Sequence, residues 1–181
     1  MFVRSPHPHA KINSINIEAA KAAPGVLGVF TGADVAADNI NGLPCGWLIT
    51  STNGEPMKEP PHPILAQGKV RYVGDHVAMV VAHTQQQARD AAELVEVDYD
   101  VLPAVVNVAD AASGAVAGVV VHDIAQDNHC FKWAIGDKGG VDAAFANAAH
   151  VTKLDLVNNR LIPNAMEPRA AIGSYNRASD K

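Results

Sequence analysis

The chain has 181 residues, 48% of them hydrophobic but only 5% aromatic, and a formal net charge of −5. That length suits one large domain, or one domain plus part of another, and the apolar content excludes a disordered chain. With no Lys/Arg block, nucleic acid is not the expected partner, and no apolar run approaches the ~18 residues of a membrane span. Cys45 and Cys130 stand far apart with no CxxC, so this chain alone builds neither an iron–sulfur site nor a zinc knuckle. Two buried free thiols in a reducing compartment are expected rather than a disulfide. The opening MFVRSPHPHAK has no apolar segment of the kind a secretory signal carries.

Ile12, Ile15 and Ile17 give a short, imperfect strand pattern. Glu18 to Ala23 is helix-prone and is stopped by Pro24-Gly25. Val26, Leu27, Val29 and Phe30 read as a buried strand, with a short helix after Gly32. Residues 39–63 are dense in turn formers and read as one long loop, a length that in a compact domain goes with function or with packing on a partner. Trp47 inside it is costly to leave in water, so it is expected to plug the core of its own domain, with a partner surface as the alternative.

KVRYVGDHVAMVVA reads as a hairpin: Val70 and Tyr72, a Gly74-Asp75 turn, then an apolar strand from Val77 to Ala82. Thr84 and Gln87 match a capping box, and Ala88, Ala91, Ala92 and Val95 recur at helical spacing. Small alanines on that face imply close helix-on-sheet packing. VEVDYDVLP alternates as a half-buried strand ended by Pro103. AASGAVAG, residues 111–118, is small, uncharged and the best candidate for a domain boundary. The chain beyond it reads strand, Gly-rich turn, short helix with Val141, Ala144, Phe145 and Ala148 on one face, and strand; RAAIGSY then looks like a further strand joining a sheet.

The polar motifs are weak as sites. His7 and His9 would share one side of a strand, but two ligands do not make a metal site. His129 and Cys130 are adjacent, which on a strand sends them to opposite faces and defeats a thiol–imidazole dyad. GDKGG, residues 136–140, has neither Walker nor GxGxxG spacing and reads as the turn that opens a helix. In NAMEPRAA, Glu167 and Arg169 would share one face of an extended segment and could pair, which suits a brace or a channel wall better than a general acid or base. From residues alone this is an α/β globular piece without a self-contained catalytic apparatus.

Five stretches in register resemble one family: VRSPHPHAKI (3–12), APGVLGVFTGADV (23–35), VRYVGDHVAMVVAHTQQQARDAAELVEVDYDVLPAV (70–105), GDKGGVDAAFANAAHV (136–151) and MEPRAAIGSY (166–175). The chain is similar to the molybdopterin-binding large subunits of molybdenum hydroxylases (aldehyde oxidase, xanthine dehydrogenase and aerobic carbon monoxide dehydrogenase), and MEPRAA is nearest to the carbon monoxide dehydrogenase-like branch. The resemblance implies an α+β fold: an α/β hammerhead domain over residues 1–112, a linker over 113–127, and the beginning of the first molybdopterin-binding domain over 128–181. Asn164, and a GDKGGVDAAF stretch slightly longer than usual, are departures from the family pattern.

The resemblance further implies a large subunit that uses a molybdenum–molybdopterin cofactor and water as oxygen donor. An iron–sulfur small subunit and an FAD medium subunit would be its partners, in a bacterial cytoplasm. The family's catalytic glutamate, its cofactor grip and its substrate loops lie later than Lys181. No residue here is therefore assigned a catalytic or metal-ligating role, no cofactor is expected on these residues alone, and Glu167 and Arg169 are the only cofactor-binding candidates, as walls of a funnel to the metal. The alternative is a free-standing interaction module that reuses the hammerhead fold with no redox role.

Overall fold

The computed structural model describes residues 1–113, 116, 118–158, 161, 165–167 and 169–180, with the side chain of Ala112 left out. Two compact units divide it, Met1–Ile135 and Gly136–Lys181. The first contains two three-stranded sheets. One has strand β5 (His76–Ala82) between β1 (Phe2–Arg4) and β3 (Val26–Thr31); the other has β2 (Ala10–Asn16) between β4 (Lys69–Val70) and β6 (Glu96–Val101). All the pairings are antiparallel.

The first sheet is organised by the continuous apolar run of β5. Val29 and Val80 face each other across β3 and β5 and are covered by Ala20 of α1 (Glu18–Ala22) and by Ala88 and Ala91 of α3 (Gln85–Ala92). Alanines at this seam let the helix backbones approach the sheet closely, as their spacing implies. Both halves of the expected capping box are present: Gln87 N donates to Thr84 Oγ1 at 3.2 Å and Thr84 N to Gln87 Oε1 at 3.1 Å. A second box starts α2 (Gly32–Ala37), where Asp34 Oδ2 accepts from Thr31 N at 2.7 Å and Ala33 N donates to Thr31 Oγ1 at 3.3 Å. Only part of β3 is buried: alternation turns Phe30 away from the face on which Val29 meets the helices, and the register shift between Val26 and Gly28 leaves Leu27 exposed. The expected buried strand is thus a half-buried one.

The stretch that reads as a hairpin is a crossing. β4 pairs with β2 and β5 pairs with β1 and β3, so the turn between them carries the chain from one sheet to the other. Gly74 takes φ +92, and Asp75 Oδ2 accepts from Arg71 N at 3.1 Å. The same turn is stitched to the β1–β2 corner: Gly74 N donates to Ser5 O, and Ser5 N to Asp75 O, both at 2.8 Å. Two of the crossings between the sheets, β1 to β2 and β4 to β5, therefore sit side by side. The second core cluster joins the sheets, with Val77 of β5 against Ala10 and Val70, and Ile12, Ile15, Val97 and Tyr99 packed partly against it.

Residues 39–63 form the long loop, with an isolated bridge between Thr50 and Pro56. Trp47 is 82% exposed, so it does not plug the core of its own domain. The loop is tied down at other points. Leu43 N bonds His62 O at 3.0 Å, Lys58 N bonds Cys130 O at 2.9 Å, and Lys58 Nζ bonds Asp127 at 3.0 Å. With those ties made, no contact draws the indole inward.

After β6 the chain forms α4 (Val108–Ser113), capped by Asn107 Oδ1 accepting from Ala109 N at 2.9 Å. Residues 114, 115 and 117 of the small-residue stretch lie outside the described residues. Residues 119–132 return to the first unit. Arg71 Nε donates to Val121 O at 3.0 Å, and the Asn128 amide bonds Val121 N and Val119 O.

In the second unit the expected helix is α5 (Lys138–Asn147), but Val141 and Phe145 on its apolar face are exposed. The strands expected within 129–134, 151–157 and 169–175 do not form among the described residues. Alternation marks two faces of a segment, while a strand also needs a ladder of backbone partners: Cys130 O and Lys132 O accept single bonds from Lys58 N and Thr52 N, and the two later stretches have no backbone partner among the described residues.

Candidate functional site

An apolar groove of a size to hold a ligand or a chain segment lies on the first sheet. Along β5, Met79 points away from the helix-covered face that takes Val80. Its register partners on either side are Phe2 of β1 and Phe30 of β3, so three large side chains form a row across the open face of the first sheet. The two roots of the long loop wall this floor, with Ile40 and Leu43 on one strand of the loop and Pro63 and Ile64 on the other. The groove measures about 600 Å³.

Few polar groups reach it. The His76 ring stacks on Phe2 with centroids 4.5 Å apart, and its Nε2 is buried without a hydrogen-bond partner. Burial, followed by the nearby Arg4 cation, holds the His76 pKa below its ordinary 6.5. Burial, reinforced by the Asp75 charge, raises the Tyr72 phenol above 10.0. Both groups are therefore neutral near pH 7. Asp34, on the rim, is lowered by the Thr31 backbone N–H and then by the Thr31 hydroxyl, so its charge is already used in capping α2. Asp38, at the other end of that helix, has no ion-pair partner among the described residues.

The histidines of SPHPHA are drawn in different directions. His9 is buried, with Nδ1 2.7 Å from Pro103 O; a carbonyl only accepts, so Nδ1 carries a proton, while Nε2 is buried without a hydrogen-bond partner. His7 instead meets the edge of Tyr99 at 5.0 Å. The segment is a bend rather than a strand, so the expected shared side is not formed. Among the described residues no three His, Cys, Asp or Glu side chains converge as a metal site. His122 Nδ1 is likewise buried without a partner, and burial followed by Arg71 lowers its pKa from 6.5.

His76 and His122 together set a pH dependence. Their folded pKa values lie below the unfolded 6.5, so between those values the unfolded chain binds more protons and stability rises with pH. The urea midpoint is expected to fall as pH is lowered from about 7.5 to about 5.5, and to fall less in the double variant His76→Gln, His122→Gln. Equal midpoints for the wild-type chain at the two values would contradict this.

Both cysteines are free thiols, yet Cys45 is exposed and Cys130 half-buried, which corrects the expectation of two buried ones. Cys45 lies on the loop, where its Sγ donates to Trp47 O at 3.3 Å. His129 turns to Asp127, with Nδ1 3.0 Å from its carbonyl, and forms no dyad with Cys130. Asp127 is lowered to about 2 by the Lys58 hydrogen bond and then by the His129 backbone N–H, forming an exposed clasp between the loop and residues 127–132.

At GDKGG, Asp137 caps α5 by accepting from Gly140 N at 3.0 Å. Its own carboxylate thus sits where a phosphate would bind. Glu167 and Arg169 are both exposed, with no ion pair between them among the described residues; Pro168 and Asn164 lie outside those residues. The groove itself escaped the sequence reading. Its signal, Phe2, Phe30 and Met79 on one face, becomes visible only when the strand register is known.

Comparison with known proteins adds the family. Residues 1–103 match the family model for the aldehyde oxidase and xanthine dehydrogenase a/b hammerhead domain, and residues 121–181 match that for the molybdopterin cofactor-binding domain. Among curated relatives, the carbon monoxide dehydrogenase large chain of Afipia carboxidovorans is 36% identical over 97% of this chain and 22% of its own length. The nicotine 6-hydroxylase large subunit of Paenarthrobacter nicotinovorans is 33% identical over 99% of this chain and 21% of its own. The chain thus spans about a fifth of the length of these relatives. Among solved structures, reconstituted CO dehydrogenase from Oligotropha carboxidovorans superposes with a TM-score of 0.64 at 36% identity, over 83% of this chain and 18% of that one. Quinoline 2-oxidoreductase from Pseudomonas putida 86 gives 0.52 at 39% identity, over 63% and 14%. A mixed α and β architecture with two crossing-linked sheets, and family matches over both of its parts, carry one conclusion: the chain belongs to the aldehyde oxidase and xanthine dehydrogenase family of molybdenum-dependent oxidoreductases, with a hammerhead domain followed by residues of the molybdopterin cofactor-binding domain.

Proposed function

We propose that these residues are the scaffold and interface part of the large subunit of a carbon monoxide dehydrogenase-like molybdenum hydroxylase. The observation that carries this is the match along nearly the whole chain to about a fifth of such large chains. In this reading the hammerhead occupies 1–112, a linker 113–127, and the molybdopterin-binding domain begins at 128. The division into two parts is supported by separate family matches at 1–103 and 121–181. The full enzyme would take its oxygen atom from water and pass electrons through an iron–sulfur small subunit to an FAD medium subunit in a bacterial cytoplasm. Among the described residues no helix is long and apolar enough to cross a membrane.

The molybdenum–molybdopterin cofactor supplies oxygen-transfer and redox chemistry when bound. Its pterin and phosphate demand buried donors and acceptors left open for them. The described residues do not fit that demand. Within the second unit every described residue is exposed, and the buried polar atoms without partners are those of His9, His76 and His122 in the first unit. Among the described residues of the second unit, Asp137 closes the N-terminus of α5 to an anion. Glu167 and Arg169 stay candidates for a funnel wall, a role that needs neighbours from outside the chain. What these residues do is hold a fold and present surfaces.

The test is the molybdenum and pterin content of the 181 residues produced alone in a host able to make the cofactor. A folded, monodisperse chain is expected to carry neither in stoichiometric amount. One molybdenum per chain would place the grip within these residues and overturn the scaffold reading.

A further inference from the structure

We propose that the groove over Phe2, Met79 and Phe30 seats an apolar segment of the same polypeptide from beyond residue 181, and that this segment brings a basic side chain to Asp38. The inference rests on the scaffold reading above, in which this chain is one part of a longer subunit.

Three observations carry it. The first is chemical. The floor is aromatic and sulfur-bearing, the walls are aliphatic, and Phe2 and Phe30 remain about 40% exposed without an occupant. The buried Nε2 of His76 lacks a partner, and a chain segment supplies backbone N–H and C=O groups at close intervals. The second is electrostatic. Asp38 is the C-cap of α2, where the helix already presents its negative end, and the last turn of that helix holds no basic residue. A carboxylate there is unfavourable until a cation approaches. Asp34 does not compete, because its carboxylate is held by Thr31.

The third is size. A groove of about 600 Å³ receives only a few side chains. That is far fewer than the ~20–30 residues on each side of a stable complex between separate proteins. A segment on the same polypeptide needs no such area, because tethering replaces a bimolecular encounter by a high effective concentration. The matched large chains are about five times the length of this chain, so ample polypeptide exists in such a subunit to reach the groove. A second copy or a separate subunit would have to find its area elsewhere.

The experiment places a photo-cross-linking phenylalanine analogue at Tyr72, on the groove wall and 47% exposed, within the complete subunit in its assembled enzyme. The expected product is an intramolecular cross-link to a peptide beyond residue 181 that carries Lys or Arg. Adding Asp38→Lys is expected to lower its yield roughly twofold to fivefold, the range of a partly exposed ion pair. Because that change places a cation at a helix C-terminus, loss of yield would not come from unfolding α2. A cross-link to another subunit, to a second copy or to a bound small molecule, or none at all, overturns the inference while leaving the scaffold reading intact. If the native polypeptide ends at Lys181, both fall together.

Discussion

Gly32→Ala is expected to destabilise the chain by ~3 kcal/mol, the upper part of the range for forcing a methyl into a packed interior. Gly32 is the first residue of α2 and is buried. A Cβ there would run into the carbonyl oxygen of Ala66, with the Ala66 carbonyl carbon at 3.0 Å and Gln67 Cγ at 3.1 Å. That carbonyl cannot step aside. Ala66 is buried, and its N–H is bonded to His76 O at 2.6 Å, which fastens the segment to β5. Moving α2 instead would break the Thr31–Asp34 capping box at its start. The loss is large against the ~5–15 kcal/mol that a domain has in total. Urea denaturation followed by circular dichroism measures it, with Gly46→Ala as control. Nothing lies within 4 Å of a Cβ at Gly46, so that change should stay within about 0.5 kcal/mol. Equal midpoints for the two variants would show that the Ala66 segment yields.

The second large effect concerns the tip of the 39–63 loop, which we propose packs on a partner subunit. Trp47 is 82% and Leu48 65% exposed, next to the exposed Leu43. Among the described residues, the amides of Gly46, Trp47 and Leu48 donate no hydrogen bond, whereas those of Ser51, Thr52, Met57 and Lys58 do. In the isolated chain the first three should exchange with solvent almost as fast as in an unfolded peptide. In the assembled enzyme they are expected to slow at least ~10-fold, as amides do when closed off from water. Exchange as slow in the isolated chain as in the complex would mean that the tip has no partner. Trp47→Ser is expected to leave the stability of the isolated chain within about 0.5 kcal/mol, because nothing of the core is removed.

These expectations differ in how much of them the sequence discloses. The Thr84 capping box, the alanine face of α3 and the stop at Pro24-Gly25 were legible, because each is settled by residues within one or two turns of each other. The family was legible too, since five short stretches recur in order. Pairing was not. The run from Val70 to Ala82 has the alternation and the turn of a hairpin, yet its strands belong to different sheets. Alternation records which face of a strand is apolar and is silent about which strand lies beside it. The same silence let Val26–Phe30 pass as buried, when its neighbours cover one face only.

The candidate site followed the same division. The polar motifs of the sequence are dispersed or self-satisfied: His9 to Pro103, His129 to Asp127, Asp137 to Gly140. What gathers is a set of apolar residues from β1, β3, β5 and two loop roots, with no mark in the sequence beyond being hydrophobic. By itself, then, the sequence determined the local elements of this protein, their caps and the family they serve. Tertiary structure alone decided the strand partners, the exposure of Trp47 and the open face over Met79. Helix ends and turns are set by hydrogen bonds a few residues long, whereas sheets and grooves are set by which distant segments exclude water together.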